Sequence, residues 1–332
     1  MESGTFNNYL KLLSQYLEHK NEKSLYKGHQ FSRFMLEQNV SPEEAISLHM
    51  DVLNSLIPDI DPKITASFDF LLEVMIGYGF AYREHQSLRT KQQQLESEID
   101  IAADVQSSLL LSDIPEVDFF DIGVISKPAR KMSGDYYHFV RDKNNRLSVA
   151  IADIIGKGIP AAMCMSMIKY SMDSLPQQYF QPSLMLESLN RVVEQNVDPS
   201  MFITMFYGQY DPETRRFSYS SAGHEPGFYY KAKEKQFEEI SAKGRVLGLS
   251  SDTIYQEYER YVEPGDVIVL LSDGVTECRT KDGFIEREEI ACLIERHIDR
   301  SAQVIATQVF KELERLQDFK LWDDFTLIIL KA

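Results

Sequence analysis

Cysteine is scarce in this chain: three residues in 332, namely Cys164, Cys278 and Cys292. An odd set without a C-x-x-C spacing gives no disulfide framework and fits reduced thiols in a cytoplasmic protein. Positive charge is also short. Lys and Arg number 35 against 51 Asp and Glu, a formal net charge of −16. That argues against non-specific binding to nucleic acid or to an anionic membrane, since both need a cationic face. The opening M-E-S-G-T-F-N-N-Y has no basic region followed by an apolar stretch, so no signal peptide is expected. No run approaches the roughly 18 apolar residues of a membrane span. The expectation is a soluble, cytoplasmic protein with neither nucleic acid nor membrane as partner. Familiar catalytic signatures are missing as well. There is no G-x-x-x-x-G-K-[ST] phosphate loop and no G-x-S-x-G nucleophile turn. Cys-x5-Arg fails, because Tyr170, Phe284 and Ile298 stand six residues after the cysteines. Asp153 is followed by two isoleucines, so it does not begin the D-x-D of an aspartyl-phosphate enzyme.

What is present falls into three textures. Length allows two domains at roughly 150 residues each, and 43% hydrophobic residues allow a real core. Residues 1–84 read as helical. S-P-E-E at 41–44 is a helix start, with Ser41 as N-cap, Pro42 in the first helical position and Glu44 closing a capping box. D-P-K-I at 61–64 repeats the signal. Phe68, Leu71, Leu72, Met75 and Ile76 then form a broad apolar face, suited to a bundle core or to another subunit. Residues 85–116 are a helical linker. Leu88, Leu95, Ala102 and Leu109 recur every seven residues, with Ile99 four after Leu95. Gln92 and Gln106 occupy the intervening core positions. This is either a solvated connecting helix or a short coiled coil that pairs two chains; polar seam residues would leave such a pair weak and switchable.

From residue 117 short apolar runs alternate with turns. Strands are expected at 119–127, 136–141, 146–152, 203–210, 215–220, 226–230, 254–261, 266–271 and 325–330, and helices at 159–174, 182–196, 286–297 and 301–316. Strands bunch together instead of alternating with helices. The fold class is therefore α+β, with antiparallel sheets and not a Rossmann-type fold.

Four aspartates mark the ends of strand-like runs here: Asp135 in K-M-S-G-D-Y-Y, Asp153 in A-I-A-D-I-I-G-K-G, Asp273 in L-L-S-D-G-V-T-E, and Asp323 in W-D-D-F-T-L. Taken singly, each suits an ordinary turn or cap. Together they are harder to dismiss, because Asp153 and Asp273 follow strongly apolar runs where a polar residue needs a reason. A carboxylate set without His or Cys specifies hard oxygen ligation, Mg²⁺ or Mn²⁺ and not Zn²⁺. Such ions can activate water against a phosphate ester. His224, in S-A-G-H-E-P, reads as a structural histidine beside a turn.

S-G-D-Y-Y, A-D-I-I-G-K-G-I-P-A-A, M-F-I-T-M-F-Y, S-A-G-H-E-P, S-D-G-V-T-E and D-D-F-T-L-I-I together resemble the bacterial, SpoIIE-like branch of the metal-dependent PP2C-type serine phosphatases. The resemblance covers residues 117–332. The N-terminal text F-L-L-E-V-M-I-G-Y-G-F resembles the group within that branch that positively regulates a general stress sigma factor. The resemblance implies an antiparallel β-sandwich flanked by helices, with two Mn²⁺ or Mg²⁺ ions at one end. Asp153 would bridge them beside the Ile154 carbonyl. Asp273 and Asp323 would complete the shells, and Asp135 would hold metal directly or through water. Asp324, Gly156 and Gly274 would stand behind these ligands. Metal-activated water would attack phosphoserine without a covalent enzyme intermediate. The implied substrate is a phosphorylated anti-sigma factor antagonist, and the implied activator is a protein resembling a switch-protein kinase, bound by residues 1–84. A homodimer joined along Leu88, Leu95, Ile99 and Leu109 is expected. Eukaryotic relatives carry a His where this chain has Ile155, and no clear counterpart of their phosphate-holding Arg is visible. Lys131 and Lys157 are positive, but solvated surface lysines read as well. Two other readings stay open. One is a non-catalytic partner-switching protein on a degenerate phosphatase fold, and the other is a hydrolase of small phosphoesters.

Overall fold

The computed structural model describes residues 3–110, 113–154, 158–174, 181–198, 201–280 and 283–332. Two compact units divide the chain, Met1–Glu96 and Ser97–Ala332.

The first unit is helical. It holds α1 (Ser3–His19), α2 (Glu22–Glu37), α3 (Pro42–Leu56) and the first part of α4 (Pro62–Leu110). The helix starts are written locally. Asn21 caps α2 by accepting the Ser24 N–H at 2.9 Å. The capping box of α3 forms as its sequence predicts: the Glu44 N–H donates to Ser41 Oγ and the Ser41 N–H donates to Glu44 Oε2 at 2.9 Å. Asp61 accepts the Lys63 N–H at 2.8 Å just ahead of α4. The core is thin. Among the described residues, Phe31, Leu48 and Val52 are the hydrophobic side chains buried in it, with Phe6, Tyr9, Leu10, Leu13 and Met35 half-covered around them. Large apolar side chains remain outside, among them Phe70 at 73% exposure and Val74 at 50%.

Two expectations about this region change. The connecting helix is not a separate element, because α4 runs unbroken for 49 residues with no Gly–Pro break to stop it. An 18-residue stretch within Pro62–Ser108 also reaches a mean hydropathy of 1.3, apolar enough by length and composition to cross a membrane. The aromatic and aliphatic residues between Ile64 and Tyr82 account for that value.

The second unit is a layered α+β sandwich. One sheet has the order β1 (Asp121–Lys127), β12 (Phe325–Lys331), β9 (Val267–Leu271), β6 (Gly227–Lys231), β7 (Gln236–Ile240). The other has the order β2 (Asp135–Arg141), β3 (Leu147–Ile154), β4 (Ile203–Asp211), β5 (Arg216–Ala222), β8 (Tyr258–Tyr261). Every pairing within them is antiparallel. Side chains alternate between faces with period two. Along β9, Ile268 and Leu270 enter the core between the sheets, while Val267, Val269 and Leu271 enter the outer core under α8 (Arg287–Glu295) and α9 (Ala302–Leu316). Along β3, Val149 and Ile151 face the inner core, while Ala150, Ala152 and Ile154 meet α5 (Ile159–Ser174) and α6 (Pro182–Asn196). Burial on both faces explains why these strands read as continuous apolar runs.

The structure adjusts several boundaries. β3 continues through Asp153 to Ile154, so Asp153 lies inside the ladder and does not end it. The expected strand 254–261 shrinks to β8, because the Tyr255 side chain plugs the core beneath α6. Four elements were not among the expected strands and helices: β7, an edge strand of text Q-F-E-E-I, the one-turn helix α7 (Asp273–Thr276), and the paired β10 (Arg279–Thr280) and β11 (Gly283–Phe284).

Candidate functional site

The predicted aspartates gather at one end of the sandwich. Asp135 opens β2 directly opposite Asp153 of β3. On the other sheet, Leu271 at the end of β9 pairs with Leu327 of β12. Asp273 in α7 and Asp323–Asp324 before β12 therefore leave neighbouring strands at the same edge.

Hydrogen bonds tie the two edges together. The Ser272 hydroxyl donates to Asp135 Oδ2 at 2.6 Å and accepts the Thr326 N–H at 3.0 Å. Asp324 clamps the loop before β2: the Gly134 N–H donates to its Oδ2 at 2.5 Å and the Ala129 N–H to its Oδ1 at 2.7 Å. The Ile154 N–H donates to the Gly134 carbonyl at 3.1 Å. Two glycines permit this closeness. A β-carbon on Gly134 would sit 3.2 Å from Asp153 Oδ1, 3.3 Å from the Ile154 carbonyl oxygen and 3.4 Å from Asp324 Oδ2. A β-carbon on Gly274 would collide with the Asp324 carbonyl, so only glycine lets α7 lie against residues 323–324.

The carboxylates disturb one another. Burial, then the charges of Asp273, Asp323 and Asp324, push Asp153 up to about 7. Burial, then Asp323, Glu277 and Glu225, push Asp273 up to about 6. Asp135 is almost wholly buried, and burial holds its carboxyl well above the usual range against the opposing Ser272 and Thr326 hydroxyls. Its Oδ1 is buried with no partner in hydrogen-bond geometry. Each of these groups is short of positive charge.

A hard divalent cation fits what is missing. The donors are carboxylate and carbonyl oxygens, the set Mg²⁺ and Mn²⁺ prefer. An orphaned carboxylate oxygen and three oxygens converging around Gly134 give it partners. Among the described residues, no three His, Cys, Asp or Glu side chains close on one point at ligating distance. The gathering is looser than a finished coordination shell, as expected of like charges facing each other.

Other predicted residues fall as follows. Gly156, Ile155 and Lys157 lie outside the described residues, as does the Leu109 side chain. Leu88, Leu95 and Ile99 are exposed along α4. Lys131 is half-exposed and paired with Asp100 at 2.5 Å. His224 is buried, shares a hydrogen bond with the Thr204 hydroxyl at 2.9 Å, and burial lowers it to about 4. It is a neutral structural histidine at neutral pH. Gln106, assigned from the heptad to a helix–helix seam, is instead buried at 5% exposure against the backbone of Ser133. Periodicity marks a covered face but does not name what covers it. Ser272 and Gly134 were not singled out from sequence, although both stand directly before a predicted ligand, in S-D-G and S-G-D.

The description "Phosphoserine phosphatase RsbU, N-terminal domain" matches residues 7–81. Phosphoserine phosphatase RsbU of Bacillus subtilis is 56% identical over 97% of this chain and 96% of its own length. Among solved structures, the SiaA-PP2C domain of Pseudomonas aeruginosa aligns with TM-score 0.64 at 17% identity, covering 73% of this chain and 98% of that one. The phosphatase domain with a regulatory fragment of SpoIIE from Bacillus subtilis aligns with TM-score 0.51 at 16% identity, covering 64% and 63%. These two likenesses concern the fold. The description "Stage II sporulation protein E (SpoIIE)" matches residues 143–332. With that match over more than half its length, the chain belongs to the SpoIIE-like branch of the PP2C-type serine phosphatases and is similar along its whole length to RsbU.

Proposed function

We propose that this protein is a metal-dependent protein-serine phosphatase that dephosphorylates a phosphorylated anti-sigma factor antagonist and so positively regulates a stress sigma factor. The observation that carries the reading is the convergence of Asp135, Asp153, Asp273 and Asp323 at one end of the sandwich, with Asp153 and Asp273 held above the ordinary carboxylate range first by burial and then by neighbouring carboxylates. Under this reading Asp153, the Ile154 carbonyl, Asp273 and Asp323 would hold two Mn²⁺ or Mg²⁺ ions, and Asp135 would bind directly or through water. When bound, such ions supply Lewis acidity and an activated water for attack on a phosphate ester. The residues' own part is placement: Ser272 orients Asp135, and Asp324 fixes the loop that brings Asp135 opposite Asp153.

The helical unit is the regulatory part in this proposal. Phe70, Leu71 and Val74 form an exposed apolar face on α4 that suits a second copy of the chain. Sharing it in a cytoplasmic homodimer needs no membrane. A groove of about 510 Å³, lined by Met35, Leu36, Val40, Tyr78 and Tyr82 among others, suits an activator resembling a switch-protein kinase. The test is phosphate release from a phosphoserine antagonist protein with Mn²⁺, with and without activator. Wild type should be active and stimulated, and Asp273→Asn inactive. Absence of release by folded, partner-bound wild type would leave a non-catalytic switch.

A further inference from the structure

We propose that Gln106, near the end of α4, is a positioning residue for the metal centre, acting through Ser133. The proposal rests on the metal-dependent reading above and goes beyond it in naming which part of α4 the site depends on.

Gln106 carries a primary amide into a buried place, which costs free energy unless its hydrogen bonds are met. They are met by the backbone of Ser133 and by the sulfur of Met165. The Gln106 Nε2 donates to the Ser133 carbonyl at 2.9 Å, and its Oε1 accepts the Ser133 N–H at 3.2 Å. Met165 Sδ of α5 lies 3.3 Å from the same Nε2. A side-chain amide thus pairs with a backbone peptide much as a neighbouring strand would. Ala and the charged residues lack this donor–acceptor pair.

The segment so held is irregular. Residues 128–134 lie between β1 and β2 and belong to neither. Their backbone is tied to the site by the Ala129 and Gly134 N–H bonds to Asp324 and by the Ile154 N–H bond to Gly134. Ser133 adds a local bond, its Oγ accepting the Asp135 N–H at 3.1 Å. Gln106 therefore grips the residue immediately before Gly134, whose surroundings bring together Asp153 Oδ1, the Ile154 carbonyl and Asp324 Oδ2. The Lys131–Asp100 ion pair joins the same loop to α4, but both partners are solvent-exposed and such pairs contribute little. The buried amide is the stronger link. Shifting or unwinding the last turns of α4 would release Ser133 and loosen the carboxylate gathering.

The test uses the full-length chain and Mn²⁺ as probe. Mn²⁺ affinity is measured by calorimetry, and phosphate release from a phosphoserine protein is followed against Mn²⁺ concentration. Outer partners of metal ligands typically matter about tenfold or more to affinity, so Gln106→Ala should weaken Mn²⁺ binding by about that factor. Saturating Mn²⁺ should recover most of its turnover. Ser133→Ala removes only Oγ, and its effect should be non-additive with Gln106→Ala in a double-mutant cycle. Gln94→Ala, on the exposed face of α4, should change nothing. Circular dichroism and melting of the metal-free chains show whether each variant is folded. Unchanged Mn²⁺ affinity in folded Gln106→Ala, or strictly additive effects of the two substitutions, would overturn the proposal. Failure of the wild type to bind Mn²⁺ at all would overturn the metal-dependent reading beneath it.

Discussion

The helical unit and the sandwich unit solve the burial problem differently. In the sandwich, β3 and β9 are covered on both faces, and three apolar clusters enclose them. In the helical unit Phe31, Leu48 and Val52 are the buried hydrophobic side chains among the described residues, while Phe70 and Val74 face solvent. The sandwich unit is self-sufficient and can tolerate a destabilising cluster of carboxylates at its rim. The helical unit is under-buried by itself and suits work done with partners. Burial in this chain is concentrated where the carboxylates crowd together, and is thin where an apolar helix face lies exposed.

The largest expected effect sharpens the trade between strain and function. Asp153→Asn should lower phosphate release by more than the roughly 10–100-fold that loss of an outer partner of a metal ligand costs. It should also raise the melting temperature of the metal-free chain, because a repelling buried charge is removed. Reduced activity together with reduced metal-free stability would mean that the carboxylates are not strained.

A core substitution comes next. Ile151→Ala, in the inner core, should cost about 2–5 kcal/mol and move the unfolding of the sandwich unit in calorimetry. Phe70→Asp should leave that transition alone and shift the chain from dimer to monomer in sedimentation. If Phe70→Asp left self-association intact, the exposed face of α4 would have another purpose.

The pH dependence is smaller and has a definite sign. Asp153 and Asp273 have folded values of about 7 and about 6, raised above those of an unfolded chain. A raised carboxyl contributes stability that is fully present below the unfolded value and is lost as pH rises through the folded one. With chelator present, the sandwich should melt lower at pH 8 than at pH 5, by a few degrees. Mn²⁺ should cancel the difference. A metal-free melting temperature that rises across this window would contradict the assignment.

The smallest effect is local. Ser41→Ala removes half of the capping box of α3 and should cost about 1 kcal/mol, read in the melting of the helical unit.

Much of this organisation is legible in the sequence because it is written locally. The S-P-E-E cap and the doubly buried runs of β3 and β9 state their roles within a few residues, and the aspartates beside turns stand out there as positions. Antiparallel layering followed from strands bunching together. What stayed hidden depends on contacts between distant segments. Edge strand β7 is held by pairing with β6, not by an apolar pattern of its own. Tyr255 looked like part of a strand and became a core plug. Asp324 looked like a companion to Asp323, yet its carboxylate holds a loop 190 residues away in sequence. Gln106 fitted a heptad, and only the fold reveals that its partner is Ser133.

The most direct test of the central claim is calorimetric titration of Mn²⁺ into wild type and Asp153→Asn at pH 7.5, each confirmed folded. The account predicts binding of two ions by wild type and loss of most of that affinity in the variant. Equal binding by both chains, or none by wild type, would contradict it.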